Sequence, residues 1–314
     1  MEKENHDGIH SRMLNHGREA ASALVLGTAQ LGLDYGVANR NGRPRPEEAL
    51  EIVRRAWEGG IRYFDTAQAY GESETVLGRC FREMMGRIPG FNPKVISKLH
   101  PDIDPARMSA VIKEIDASLD RLGVEELWGF MLHRESCLDM GEEALSEMIR
   151  ELKKEPRFRY FGVSVYSPEY ALRALGIDEV DFVQLPYNVF DQRAFFQGVF
   201  DFAREHDKKV FVRSIYLQGL LLMNPEELQG KWTFSRSPLE SFTRYASSHR
   251  LPPKLLALAF VVRTAPGAMF VIGAETPDQV SENLTLFQEA ETVQSILLAG
   301  VVLVEPDAAC PPAV

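Results

Sequence analysis

The sequence predicts an α/β chain folded as a (β/α)8 TIM barrel, and three observations predict it. Eight short apolar runs alternate with longer amphipathic segments from Leu24 onward, the order of a barrel or a doubly wound sheet. The runs are rich in Val, Ile, Leu and Phe without strict alternation, as parallel strands covered on both faces are. The chain has 314 residues, enough for the roughly 250 that a barrel takes. A doubly wound open sheet would want a glycine-rich phosphate loop after an early strand. The stretch in that place, Gly27-Thr28-Ala29-Gln30-Leu31-Gly32, lacks the GxGxxG spacing.

Taken in order, the first unit joins a strand over 24–27 to a helix over 46–59. That helix opens on Pro46, whose missing N–H costs nothing in a first turn. The second unit joins 62–66 to 72–85, and the third joins 95–99 to 105–122. The fourth is 127–133 with 142–154, and the fifth is 160–165 with 168–175, where Pro168 again starts the helix. The sixth pairs 182–185 with 196–206. The seventh strand, 209–214, is parted from its helix, 252–264, by residues 217–251. That span exceeds ordinary connections and reads as a lid or binding loop. Segments 269–273 and 277–289 complete the eighth unit. No linker, repeat or low-complexity stretch divides residues 23–314, which read as one barrel domain. Residues 1–22 are polar and lack the apolar stretch of a secretory signal, so they read as a flexible tail.

Composition narrows the function. Hydrophobic residues make up 45% and charged residues 25%, the balance of a globular chain. Asp and Glu number 45 against 35 Lys and Arg, a formal net charge of −10. Such a surface repels phosphate backbones and anionic lipid, which argues against nucleic acid and membrane partners. The most apolar run, 296–304, falls short of the roughly 20 residues of a membrane span. Cys80, Cys137 and Cys310 are widely spaced and form no CxxC pair, which reads as free thiols in a reducing cytoplasm.

A barrel of this kind carries its site at the carboxyl ends of the strands. Polar residues interrupt the apolar runs there: Asp65 closes the second, Lys98 the third and His133 the fourth, and Tyr70 follows on the loop after the second. A free phenol has a pKa near 10, too high for ready proton donation at neutral pH. A neighbouring ammonium is expected to lower it, with the carboxylate keeping the lysine charged, which makes Tyr70 a general acid. His133 is placed to orient a carbonyl. None of the four is a hydride donor, so reduction calls for a nicotinamide cofactor. His100 lies near Lys98, but no HxH or HExxH spacing occurs and no metal is expected. Trp57 and Trp128 read as core, whereas Tyr35, Tyr187, Phe190, Trp232 and Phe234 read as pocket wall.

The segments Leu26-Gly27-Thr28, Phe64-Asp65-Thr66-Ala67-Gln68-Ala69-Tyr70-Gly71, Ser97-Lys98 and Leu132-His133 resemble the aldo/keto reductase superfamily, over about residues 24–287. The resemblance implies a barrel that binds a nicotinamide cofactor without a Rossmann domain and reduces carbonyls with Asp65, Tyr70, Lys98 and His133. It implies cofactor contacts at Gly27, Thr28 and Asp65, and at Ser164 and Gln184, which resemble the family's carboxamide grip. Val165 stands where the family commonly has Asn, and Arg213 where many relatives stack an aromatic ring on nicotinamide. Ser214, Leu217 and Gly219 fall where the family wraps the pyrophosphate, and Gly273, Thr276, Gln279 and Asn283 where it holds the adenosine end. The resemblance favours NADP(H), with NAD(H) the alternative. Gln279 occupies the place of a phosphate-binding Arg in many relatives, and Glu275 adds a carboxylate nearby.

The function expected is an NAD(P)H-dependent oxidoreductase acting on a small-molecule carbonyl, as a cytoplasmic monomer or small homo-oligomer. Two alternatives remain open from the residues. One is a nicotinamide-binding regulatory protein with slow turnover; the other is a Schiff-base aldolase using Lys98.

Overall fold

Eight parallel strands close into one barrel in the computed structural model of the chain, which describes residues 23–40 and 42–293. They are β1 (Leu24–Gly27), β2 (Tyr63–Asp65), β3 (Lys94–Lys98), β4 (Leu127–Leu132), β5 (Phe158–Ser164), β6 (Phe182–Pro186), β7 (Lys209–Arg213) and β8 (Met269–Gly273). Each pairs with the next in chain order, and β1 closes on β8 with Gly27 opposite Gly273. Around them run α1 (Pro46–Glu58), α2 (Ser73–Met85), α3 (Met108–Leu122), α4 (Glu142–Leu152), α5 (Pro168–Leu175), α6 (Val199–Glu205), α7 (Arg236–Ser248), α8 (Pro253–Thr264) and α9 (Pro277–Ala290).

Each helix buries one stripe. Ile52, Val53 and Ala56 on α1 and Val111, Ile115 and Leu122 on α3 are fully buried, at the spacing of a single helical face. Ser167 and Thr276 cap α5 and α9 by accepting the N–H of Tyr170 and Gln279. Helix α8 is buried all along Leu255–Val261, packed against both α9 and α7.

The span 217–251, expected as a long lid or binding loop, is not loop throughout. It carries 3₁₀ turns at Leu217–Leu222, Pro225–Glu227 and Gly230–Ser235 and then helix α7. The sixth helix is also shorter than expected, since Gly198 adopts φ +72° and separates one turn at Arg193–Phe196 from α6. The third helix starts at Met108, not at residue 105. The tail at 1–22, the apolar run at 296–304 and Cys310 lie outside the described residues. No helix among the described residues is long and apolar enough to cross a membrane.

The barrel interior is plugged below the site. Val25, Ile96, Met131, Phe182 and Phe211 form a buried cluster apart from the larger core between strands and helices. Trp128 packs against Tyr160 at 4.7 Å, Tyr63 at 5.0 Å and Phe211 at 5.8 Å between ring centroids. Gly162 makes room for this layer, because a Cβ there would come within 2.4 Å of the Phe182 ring. Trp57 packs on Phe91 at 4.5 Å in the outer core. Tyr187 belongs to the core too, a correction to its reading as pocket wall. Its ring lies between Phe200 and Phe260, and its hydroxyl donates to Thr264 Oγ1 at 2.7 Å.

Candidate active site

Side chains alternate faces along a strand, so a residue two positions beyond a plug residue points into the barrel one layer higher. Two positions beyond Tyr63, Ile96, Met131 and Phe182 stand Asp65, Lys98, His133 and Gln184. Two beyond Val25, Phe211 and Val271 stand Gly27, Arg213 and Gly273. The plug thus ends where the polar layer begins, at the carboxyl ends of the strands.

Asp65 and Lys98 form a buried ion pair, 3% and 1% exposed. The ammonium of Lys98 donates to Asp65 Oδ1 at 2.8 Å, to Asp65 Oδ2 at 2.7 Å and to Thr66 O at 2.9 Å. All three of its protons are thereby used. Burial pushes this ammonium below the usual lysine range, and Asp65 opposes that push. Gln184 Nε2 donates to Asp65 Oδ1 at 2.8 Å, which leaves the Gln184 Oε1 buried without a partner.

The loop carrying Tyr70 is tied down along its length. Thr66 N donates to Ile96 O at 2.8 Å and Gln68 N to Lys98 O at 3.2 Å. The Gln68 side chain donates to Glu114 O at 3.0 Å and Ser118 Oγ at 2.9 Å, and accepts the His100 N–H at 2.6 Å. Ser73 Oγ donates to Thr28 O at 2.8 Å and receives Thr66 Oγ1 at 3.0 Å. Gly32 must be glycine, because a Cβ there would meet Tyr70 O at 1.9 Å. Below β3, buried Glu74 takes Ser97 Oγ and Arg121 Nε, each at 2.6 Å.

Tyr70 is half-buried, and among the described residues its hydroxyl has no hydrogen-bond partner. Lys98 Nζ lies over its ring at 4.9 Å from the centroid, and His133 meets it edge-on at 5.9 Å. Burial, and after it the Asp65 charge, pushes the phenol above the ordinary tyrosine value, while Arg213 pulls it back. The expectation that Lys98 lowers it is corrected: that ammonium gives its hydrogen bonds to Asp65 and Thr66 O, and burial and Asp65 dominate the phenol.

His133 is pushed down to about 3, by burial first and then by Lys98 and Arg213. It is therefore neutral at working pH, with a buried Nδ1 that has no partner. An unfolded histidine titrates near 6.5. Between pH 6.5 and about 3 the unfolded chain binds a proton that the native one does not, so stability falls as pH drops through that window. His133→Gln is expected to lose less stability than the parent between pH 7 and about 5, in urea unfolding. Parallel losses in the two proteins would exclude the shift.

Above this cluster opens a cleft of about 230 Å³. Of the sequence candidates, Gly27, Thr28, Asp65, Tyr70, Gln184, Arg213, Ser214, Gly219, Gly273, Gln279 and Asn283 line it, as does Tyr35. Lys98 and Ser164 lie beneath, almost fully buried. Leu217 packs on the core, and the Thr276 hydroxyl caps α9, accepting Gln279 N at 3.2 Å. Phe190, Trp232 and Phe234 do not line the cleft; Phe190 meets Phe242 of α7 at 5.9 Å, and Phe234 is 56% exposed. Lys254, Gln30 and Tyr216, which sequence reading passed over, do line it. Ser214, Leu217, Gln218 and Gly219 all take positive φ, a bent backbone at the cleft edge. Asn283 Oδ1 is buried without a partner. Among the described residues no group of three or more His, Cys, Asp or Glu could hold a metal ion.

The sequence profile of the aldo/keto reductase family matches residues 23–296. The chain is 25% identical over 298 residues to the NADH-specific methylglyoxal reductase of Escherichia coli strain K12, covering 84% of this chain and 89% of the relative. It is 23% identical over 299 residues to the D-threo-aldose 1-dehydrogenase of a Pseudomonas species, covering 83% and 91%. Its fold matches an aldo-keto reductase of Bacillus halodurans in its holo form with a TM-score of 0.72, at 21% identity over 91% of this chain and 93% of that one.

Proposed function

Because this chain belongs to the aldo/keto reductase family, we propose that it reduces an aldehyde or ketone to an alcohol with NAD(P)H. One observation carries the reading: the Tyr70 hydroxyl stands at the cleft without a partner among the described residues, beside a fixed Lys98–Asp65 pair and a neutral His133. Tyr70 gives its proton to the carbonyl oxygen as charge develops there. His133, neutral, hydrogen-bonds and orients that oxygen. Lys98 and Asp65 hold the floor on which the phenol rests. With its ammonium bound to Asp65, Lys98 is no free amine, which speaks against a Schiff-base role.

A reduced nicotinamide cofactor, when bound, supplies the hydride. The residues present fit such a group. Among the described residues lining the cleft, the amide oxygens Gln184 Oε1, beside Asp65, and Asn283 Oδ1, on α9, are buried without partners, and they suit the amide and amino N–H groups of a dinucleotide. Gly273 leaves space that a Cβ would close, within 2.3 Å of the Gln30 side chain. Ser214 and Gly219 would follow the pyrophosphate, with Gln279 near the ribose. Loss of nicotinamide absorbance in a screen of carbonyl compounds with both reduced cofactors tests the reading. No turnover with any carbonyl would overturn it and leave slow-turnover cofactor binding.

The same end of the cleft sets the cofactor preference. Its cation, Lys254, is already held by Glu282 at 2.5 Å. Glu275 lines the cleft beside Gln279, whose Oε1 accepts the Glu275 N–H at 2.8 Å. A carboxylate accepts from a ribose hydroxyl and repels a 2′-phosphate. NADPH is thus expected to be preferred over NADH by less than about a hundredfold, equivalent to about 2.7 kcal/mol. Titration of both cofactors checks this, and a larger preference would mean that Lys254 leaves Glu282 for the phosphate.

A further inference from the structure

We propose that Gln68 is a positioning residue for proton donation: its side chain holds the turn that sets the Tyr70 phenol beside Lys98 and His133. This rests on the reductase reading above, in which Tyr70 is the proton donor.

Tyr70 closes a tight turn by donating its N–H to Ala67 O at 3.0 Å, so Gln68 and Ala69 are the two central residues of that turn. The direction of the phenol follows from how the turn is held. The Gln68 backbone N–H reaches Lys98 O at 3.2 Å, the long end of such bonds. The side chain makes three more. Its Oε1 accepts the His100 N–H at 2.6 Å, and its Nε2 donates to Glu114 O at 3.0 Å and to Ser118 Oγ at 2.9 Å. A backbone N–H can only donate and a carbonyl can only accept, so the amide fits in one orientation. The turn is thereby joined to the exit of β3 on both sides of Leu99, and to α3.

The hold does not end at Ser118. Its Oγ also takes Arg121 Nη2 at 3.3 Å, Arg121 Nε donates to Glu74 Oε2 at 2.6 Å, and Ser97 Oγ donates to Glu74 Oε1 at 2.6 Å. The circuit leaves the turn at Gln68 and returns to β3 at Ser97, the neighbour of Lys98. Gln68 itself does not line the cleft. It therefore acts on the reaction through Tyr70, not by touching what is reduced.

The test is Gln68→Met, which keeps the length of the side chain and removes all three of its bonds. Glu114 O lies within α3 and Ser118 Oγ keeps Arg121 Nη2, so only the His100 N–H, on a partly exposed residue, loses its partner. Misplacing a reacting group by about 1 Å costs up to about a hundredfold. In Gln68→Met, kcat should fall by about 10–100-fold, with KM and the cofactor dissociation constant each within about threefold of the parent. In the Tyr70→Phe background the same substitution should cost less than about threefold, because no proton donor is left to misplace. Equal losses in the two backgrounds overturn the proposal and leave Gln68 a structural clamp. Ser118→Ala keeps the Glu114 and His100 contacts and should show the same dependence on Tyr70 with a smaller loss; it carries the same test if Gln68→Met does not fold.

Titration of the phenol reads the turn without turnover. In ¹³Cζ-tyrosine NMR the Tyr70 signal is the one missing from Tyr70→Phe. Burial and then Asp65 raise this phenol, Arg213 lowers it and Tyr166 raises it. With the turn freed and the ring more open to water, the Tyr70 of Gln68→Met should titrate closer to the ordinary value near 10. An unchanged titration overturns the proposal. If no carbonyl is reduced yet the titration moves, the reductase reading fails while Gln68 still sets Tyr70.

Discussion

Tyr70→Phe is expected to slow carbonyl reduction by about 10²–10⁴-fold, the usual contribution of a general acid. The variant removes one oxygen that has no protein partner among the described residues, so folding stability should hardly change. The ring remains, and with it the Lys98 contact at 4.9 Å and the His133 edge at 5.9 Å. Cofactor affinity should also stay close to that of the parent, because the buried acceptors proposed to hold the dinucleotide, Gln184 Oε1 and Asn283 Oδ1, are untouched. The loss therefore belongs in kcat rather than in cofactor binding. Because burial and Asp65 raise the phenol, the parent should keep its activity well into the alkaline range, with no fall from Tyr70 ionisation near neutrality. A loss below about tenfold would remove Tyr70 from the role of proton donor.

Much of this site was legible in the sequence, for a physical reason. A strand buried on both faces is apolar until its carboxyl end, so a polar residue there stands out. Asp65, Lys98 and His133 were found that way, whereas Gln184 and Arg213 came from the resemblance to the family. What the sequence hid depends on contacts between distant segments. Gln68 clamps the Tyr70 loop through Glu114 O, a carbonyl 46 residues away, and its own type carries no sign of that. Helix α7 escaped notice because only Leu239, Phe242 and Ala246 of it are buried, too sparse a stripe among Ser and Arg. Tyr187 was misplaced since a strand-end loop residue can turn inward as well as outward; here it turns under α8. Lys254 had a readable signal that was missed. A helix following a barrel strand begins at the catalytic end, so first-turn residues such as Lys254 and Gln279 stand near the site. The phenol's shift was misjudged because proximity of an ammonium says nothing about where its protons point.

Lys98→Met is expected to destabilise the fold by about 3–5 kcal/mol, the cost of leaving one member of a buried ion pair without its partner. Asp65 would keep only the Gln184 N–H, at 2.8 Å in the parent, and at 3% exposure it has little access to water. Asp65→Asn should also be destabilising, though less, because Lys98 retains Thr66 O at 2.9 Å and a lysine already pushed down by burial can shed its proton. The two variants should then respond to pH in opposite directions. An isolated buried carboxylate is relieved by taking up a proton, so Lys98→Met binds more protons folded than unfolded and regains stability as pH falls. A lowered buried lysine binds fewer protons folded than unfolded below its ordinary value near 10.4, so Asp65→Asn regains stability as pH rises. Combining the two substitutions removes both charges, and the double variant should cost clearly less than the sum of the singles. Urea midpoints for the four proteins at about pH 6 and pH 9 read all of this at once. Costs that simply add, with the same pH response in both single variants, would show that Asp65 and Lys98 do not act as a buried ion pair.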